Sequence, residues 1–131
     1  MKYRPYGKIV LANGCFRRLH YGHLLHLKQA KELGYLIVSI TSDAYIGKPG
    51  GPFYPQEQRA ALVGALKCVD EVLVVDSLLE ALAVIHPDIL IKGIDYQNGL
   101  DAEHNAYCKS HDIEIRFTTT PKMNADELGR R

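Results

Sequence analysis

KIVLANGCFRRLHYGHLLHLKQAKELGYLIVSIT, residues 8–41, holds in order an apolar run, a glycine-bearing turn, a helical pattern and a second apolar run. The two runs, KIVLA (8–12) and YLIVSIT (35–41), are continuously apolar rather than alternating, as strands covered on both faces are. Between them, Leu24, Leu27 and Ala30 recur at helical spacing over 22–33. The same alternation continues down the chain. EVLVV (71–75), DILIK (88–92) and a weaker IEIRF (113–117) read as further strands. Ala60, Leu62, Val63 and Leu66 mark a helix over 56–67, and Leu78, Leu79, Leu82 and Ile85 mark another over 77–85. Strand, helix, strand repeated in this way predicts right-handed crossovers. The expected fold is a doubly wound α/β domain, a Rossmann-like parallel sheet of five strands with helices on both faces.

The breaker residues agree with these boundaries. Gly34 follows the first helix where a left-handed cap residue belongs, and Pro55 precedes the second where its fixed φ and missing N–H are tolerated. GKPGGPFYP (47–55) is the one long breaker-rich loop. In open α/β sheets ligands bind beyond the carboxyl ends of the strands, where the strand order reverses. The residues that follow strands are therefore the ones to read for chemistry.

Composition narrows the classes of partner. A chain of 131 residues, 47% hydrophobic and 24% charged, fits one domain over residues 1–131 with a sizeable core. Its formal charge of +1, with both signs interspersed, offers no basic stripe for nucleic acid, so the expected partner is small. The opening MKYRPYGKIV lacks the apolar core of a secretory signal, and no stretch approaches the roughly 20 apolar residues that span a membrane. A cytoplasmic location is the expectation. Cys15, Cys68 and Cys108 lack the short paired spacings of a zinc site or a disulfide scaffold and read as free thiols.

After the first strand comes NGCFRRLHYGH (13–23). Asn13-Gly14 can turn the chain sharply, and the helix that follows presents free N–H groups and a partial positive charge at its start, a place for phosphate. His20 just before that helix and His23 in its first turn are placed to donate hydrogen bonds to phosphate oxygens that gain charge as a bond to phosphorus breaks. Gly22 is expected to keep the space between them open. Two other readings of the pair stand beside this one. Histidines at i and i+3 could ligate a metal, although the glutamate of the metalloprotease signature and an obvious third ligand are missing. They could also be surface histidines of an amphipathic helix, with His26 extending the row.

GCFRRLHYGHLLHLKQAKELG (14–34) resembles the opening motif of the cytidylyltransferase-like nucleotidyltransferases, whose hallmark is His-x-Gly-His after a glycine and a phenylalanine. The likeness continues in order through SD (42–43), PQEQRAAL (55–62), CVDEV (68–72), PDILIKGIDY (87–96) and TTT (118–120). Lys92-Gly93-x-Asp95-Tyr96 is most similar to the branch that adenylylates heptose 1-phosphate. The resemblance implies roles for single residues. Gly14, Cys15 and Phe16 are the turn that receives nucleotide phosphates; His20 and His23 hold the hallmark positions on either side of Gly22. Lys48 stands where a lysine reaches the triphosphate, and Arg59 where an arginine steadies that loop or the phosphates. Lys92, Gly93 and Asp95 follow the fourth strand at the sheet edge, where a base or sugar lies. Thr118, Thr119 and Thr120 match a run that binds nucleotide at the start of a last helix. Local signals support that helix too: Thr120 is a competent N-cap and Pro121 suits a first position, giving a helix from 121 to 128 ended by Gly129.

Two departures from the family pattern stand out. Arg17 occupies the place after phenylalanine where the family has Asp or Asn, and IEIRFTTTPK lacks the Arg-x-x-Gly loop of glycerol 3-phosphate cytidylyltransferases, which favours ATP over CTP. The implied reaction is attack by an acceptor phosphate oxygen on the α-phosphorus of a nucleoside triphosphate, with release of pyrophosphate. His20, His23 and Lys48 would be its catalytic groups. Mg²⁺ would arrive on the triphosphate with no protein ligand assigned to it, and the resemblance implies a homodimer. The alternatives are a CTP-dependent enzyme acting on glycerol 3-phosphate or a related polyol phosphate, and a non-catalytic nucleotide-binding domain. A receiver-like module is disfavoured, because its first strand leads into acidic residues rather than glycine, arginines and histidines.

Overall fold

The computed structural model describes residues 7–47, 52–93 and 101–119. Strands and helices alternate along them as β1 (Ile9–Gly14), α1 (Tyr21–Lys31), β2 (Tyr35–Thr41), α2 (Gln56–Gly64), β3 (Glu71–Val75), α3 (Leu78–Ile85), β4 (Ile89–Lys92), α4 (Ala102–Ser110) and β5 (Glu114–Phe117). All four strand pairings are parallel and the sheet order is β3-β2-β1-β4-β5. This is the doubly wound α/β arrangement expected from the apolar runs. Among the described residues no helix is long and apolar enough to cross a membrane, and Cys15, Cys68 and Cys108 are free thiols.

The side chains of β1 explain why its run could not alternate with polar residues. Val10 and Ala12 face one layer of the core with Leu27 and Ala30 of α1, Val63 of α2, and Val38 and Ile40 of β2. Leu11 faces the other layer with Leu78, Ala81 and Leu82 of α3 and Cys108 of α4. Both faces of the strand are dry at Val10, Leu11 and Ala12, so these consecutive positions are all apolar. The register sets Val10 beside Leu36 and Ile89, and Ala12 beside Val38 and Ile91, at the centre of the sheet.

Several boundaries differ from the sequence reading. The β4–β5 connection carries α4, for which the sequence shows no helical stripe: its AEHNAYCKS gives the core the buried Cys108 and the partly buried Tyr107. Its signal lies in Asp101, whose side chain accepts from the Glu103 N–H at 2.7 Å as an N-cap. α2 ends at Gly64 rather than near 67, where a residue of poor helix propensity meets the turn into Leu66. Pro55 precedes α2 as its N-cap residue, where the sequence reading put it. Lys48, Asp95, Thr120 and the helix expected over 121–128 lie outside the described residues.

Gly34 follows the end of α1, but with φ +156° it is not the left-handed cap expected there. The position requires glycine for a different reason: a Cβ would stand 2.3 Å from the Lys8 carbonyl oxygen, which accepts the Tyr35 N–H that starts β2 at 2.8 Å. Gly34→Ala combines a backbone conformation foreign to L residues with a clash against main chain. It is expected to lower unfolding free energy by at least about 2 kcal/mol, measured by urea titration. A loss under about 0.5 kcal/mol would show that the α1–β2 joint yields easily.

Candidate active site

In the order β3-β2-β1-β4-β5 the direction of winding reverses between β1 and β4. The crevice beyond their carboxyl ends lies past Gly14 and Lys92, and the chain delivers the glycine-histidine loop and the Lys92-Gly93 segment to it. β4 is an inner strand, so Lys92 and Gly93 sit at its carboxyl end rather than at an outer edge of the sheet.

The loop leaving β1 is held in a strained shape. Phe16 has φ +50°, a left-handed conformation unusual for a bulky residue, and its ring is buried. It folds back over Gly14, where a Cβ would meet its Cε2 at 2.9 Å, and packs tilted against His23 with ring centroids 5.1 Å apart. Backbone strain of this kind persists only where the surroundings over-determine it. Arg59 supplies much of that constraint from below. Its side chain is fully buried, and its guanidinium donates to Cys15 O (2.8 Å), Thr41 O (2.7 Å), Tyr54 O (2.7 Å) and the Asp43 carboxylate (2.6 Å). Of the two roles implied for Arg59, steadying loops or meeting phosphates, these bonds perform the first.

Arg17 ties the breaker-rich loop to the same structure. Its guanidinium donates to Gly47 O and lies 5.7 Å from the Phe53 ring centroid, while its carbonyl accepts the Tyr54 N–H at 3.3 Å. Arg59 approaches the same ring at 5.4 Å, so Phe53 carries two cation–π contacts.

The two histidines cap α1 with each other. His20 is the N-cap; its Nδ1 accepts from Gly22 N–H at 3.1 Å, and His23 Nδ1 accepts from His20 N–H at 3.1 Å. This is a capping box built from imidazoles in place of Ser/Thr and Glu. Two consequences correct the sequence reading. Two of the amides expected to be bare are already taken, and the space expected between the rings is closed, because they stack with centroids 3.9 Å apart at 24°. The same geometry fixes the tautomer. With Nδ1 used as an acceptor, each neutral ring carries its proton on Nε2, so the pair presents two Nε2–H donors.

Both rings are neutral near pH 7. Burial, then the neighbouring His20 and His26, pushes His23 down to about 4, and burial with nearby Arg18 lowers His20. In the unfolded chain a histidine titrates near 6.5. As pH falls the unfolded state therefore takes up the proton first. Stability from a neutral His23 is complete above about pH 6.5 and is lost as pH falls toward about 4. Thermal melts between about pH 7 and pH 4 are expected to show a falling Tm that flattens in His23→Asn. An unchanged slope in the variant would contradict the assignment.

Thr118 is fully buried, and its N–H donates to Lys92 O at 2.8 Å, joining the end of β5 to that of β4. Lys92 is half-buried, which lowers its pKa from the usual lysine range. The threonines are also held by two α1 residues to which the sequence reading gave no role. His26 Nδ1 shares a hydrogen bond with Thr118 Oγ1 at 2.9 Å, and Gln29 pairs with Thr119. In the sequence His26 stands out only as the third member of a row of surface histidines; a contact across 92 residues leaves no mark in local spacing. The described site residues Gly14, Cys15, Phe16, His20, Gly22, His23, Lys92, Gly93, Thr118 and Thr119 thus belong to three connected segments at one end of the sheet. Among the described residues, no three His, Cys, Asp or Glu side chains gather as metal ligands.

Known proteins share much of this sequence and fold. "Bifunctional protein HldE" of a Nitratiruptor species is 45% identical over 96 residues, covering 69% of this chain and 21% of that protein. The protein of the same name from Campylobacter jejuni subsp. doylei is 43% identical over 121 residues, covering 86% of this chain and 26% of its own length. The chain thus spans about a fifth to a quarter of these relatives. Among solved structures, the lipopolysaccharide core biosynthesis protein from Thermoplasma volcanium GSS1 superposes with TM-score 0.74 at 29% identity, covering 88% of this chain and 98% of that one. The family model described as cytidylyltransferase-like matches residues 11–124, from β1 through the threonine run, and the chain belongs to that family of nucleotidyltransferases.

Proposed function

We propose that the chain transfers a nucleotidyl group from a nucleoside triphosphate, ATP in preference, to a phosphorylated sugar such as heptose 1-phosphate, releasing pyrophosphate. The observation that carries this reading is the pair of neutral imidazoles at the α1 N-terminus, their Nδ1 atoms engaged and their Nε2–H groups left as donors beside the β1–β4 crevice. The sugar-phosphate acceptor draws support from the Lys92-Gly93-x-Asp95-Tyr96 segment and from the likeness to the Thermoplasma protein of lipopolysaccharide core biosynthesis.

An oxygen of the acceptor phosphate forms a bond to the α-phosphorus as the bond to the β-bridging oxygen breaks, and the electron pair leaves with pyrophosphate. The nucleophile is already an anion, so no base has to take a proton from it. The chain's task is alignment and stabilisation of charge on the α-phosphoryl oxygens. His20 and His23 donate Nε2–H to those oxygens, and the helix N-terminus adds its partial positive charge. Lys48 assists at the departing pyrophosphate. Arg59 and the Phe16 ring keep the β1 loop in place, and the backbone of Gly14, Cys15 and Phe16 receives the nucleotide phosphates. Mg²⁺ would arrive as part of the metal–nucleotide substrate and would neutralise charge on its phosphates.

A pyrophosphate-release screen crossing ATP, CTP, GTP and UTP with sugar and polyol phosphates tests the reading. Release with ATP and a sugar 1-phosphate is expected. Release only with CTP and glycerol 3-phosphate would replace it with the cytidylyltransferase alternative, and triphosphate binding without release would favour a non-catalytic domain.

A further inference from the structure

α1 and its cap carry polar residues at every third position, His20, His23, His26 and Gln29, the row that forms one ridge winding around a helix. Its first two members cap the helix. The last two leave α1 for a different part of the chain. Gln29 holds Thr119 in both directions: the Thr119 N–H donates to Gln29 Oε1 at 2.6 Å, and Gln29 Nε2 donates to Thr119 Oγ1 at 2.9 Å. His26 holds Thr118 by the 2.9 Å bond to its Oγ1. Thr118 in turn is bonded through its N–H to Lys92 O. These contacts span about ninety residues of sequence and cluster at the carboxyl ends of β4 and β5.

We propose that Gln29 and His26 are positioning residues that seat Thr118 and Thr119 against the phosphate-binding helix, so that one rigid helix sets both ends of the nucleotide site. The inference rests on the nucleotidyltransferase reading and deepens it. A side-chain amide bonded to a neighbour's backbone N–H and hydroxyl at once fixes both the position and the rotamer of that residue, which two independent contacts would not do. Burial separates the two members of the pair. Thr118 is fully buried and its bond to His26 is part-buried, whereas the Gln29–Thr119 pair is exposed. An exposed pair adds little to global stability, because water replaces its bonds in the unfolded chain. Its contribution lies in keeping Thr119 ordered before nucleotide arrives, which is felt in affinity rather than in folding.

The test compares wild type, Gln29→Ala and Gln29→Glu. Glutamate keeps an oxygen to accept the Thr119 N–H and reverses the second bond, the threonine hydroxyl donating. Gln29→Ala is expected to raise the KM for ATP, and the Kd for ATP measured by calorimetry, about tenfold, with kcat within about twofold and Tm unchanged. Gln29→Glu is expected to keep the ATP KM and Kd within about threefold of wild type. ATP affinity of Gln29→Ala within about twofold of wild type would overturn the proposal, as would Gln29→Glu failing as badly as Gln29→Ala. Failure of wild type to release pyrophosphate with any acceptor would sink the transferase reading instead, and the calorimetric comparison would still decide whether Gln29 seats the threonines.

Discussion

Replacing His23 by alanine is expected to lower turnover about a hundredfold to a thousandfold, the effect of removing one preorganised donor, roughly 2.7 to 4 kcal/mol, from a site where charge develops. Pyrophosphate release at saturating nucleotide measures it. The loss should fall on kcat more than on KM, because the donor bonds most strongly to the charge of the transition state. A smaller structural effect comes with it. His23 Nδ1 accepts the His20 N–H and its ring stacks on His20 at 3.9 Å, so the substitution also removes half of the helix cap. That part is expected to cost about 1 kcal/mol and to show as a modest drop in Tm. Because the rings share a stack and a capping box, His20→Ala and His23→Ala should not add in the double variant. Near-parental turnover in a folded His23→Ala would end the catalytic assignment.

The largest loss of stability is expected at Arg59. Replacement by methionine keeps much of the volume and removes every donor. The carbonyls of Cys15, Thr41 and Tyr54 and the carboxylate of Asp43 then lose a partner supplied by a fully buried side chain. Breaking a buried ion pair with several hydrogen bonds costs about 3–5 kcal/mol. The Asp43 side chain is 42% exposed and can regain water, which places the expected value near the lower end, about 3 kcal/mol, by chemical denaturation. Arg59→Lys is not expected to rescue the protein: a single ammonium group cannot match the planar fork that reaches acceptors in separate segments. Less than about 1 kcal/mol lost in Arg59→Met would show that the clamp is dispensable.

These two residues also mark how far the sequence could be read. The doubly wound sheet was legible because β1, β2 and β4 are buried on both faces, which forces continuous apolar runs, and because Leu27, Ala30, Val63 and Leu82 lie at helical spacing between them. The histidine pair was legible because a helix N-terminus and its cap are local features. The burial of Arg59 was not. A charged residue on an otherwise ordinary helix reads as solvent-facing, and its acceptors come from 5, 16, 18 and 44 residues away, brought together only by the finished fold. α4 escaped because its one buried residue, Cys108, makes no stripe. The stacking of His20 on His23 depended on side-chain rotamers, which spacing does not specify.

A crystal structure with a non-hydrolysable ATP analogue bound tests the central claim most directly, since it locates the phosphate that the imidazoles are said to serve. The expected result is an α-phosphate oxygen within about 2.7–3.2 Å of Nε2 of His20 or His23, with the Nδ1 caps intact. An α-phosphate bound elsewhere, with both Nε2 atoms facing solvent or other protein groups, would contradict the proposed chemistry while leaving the fold untouched.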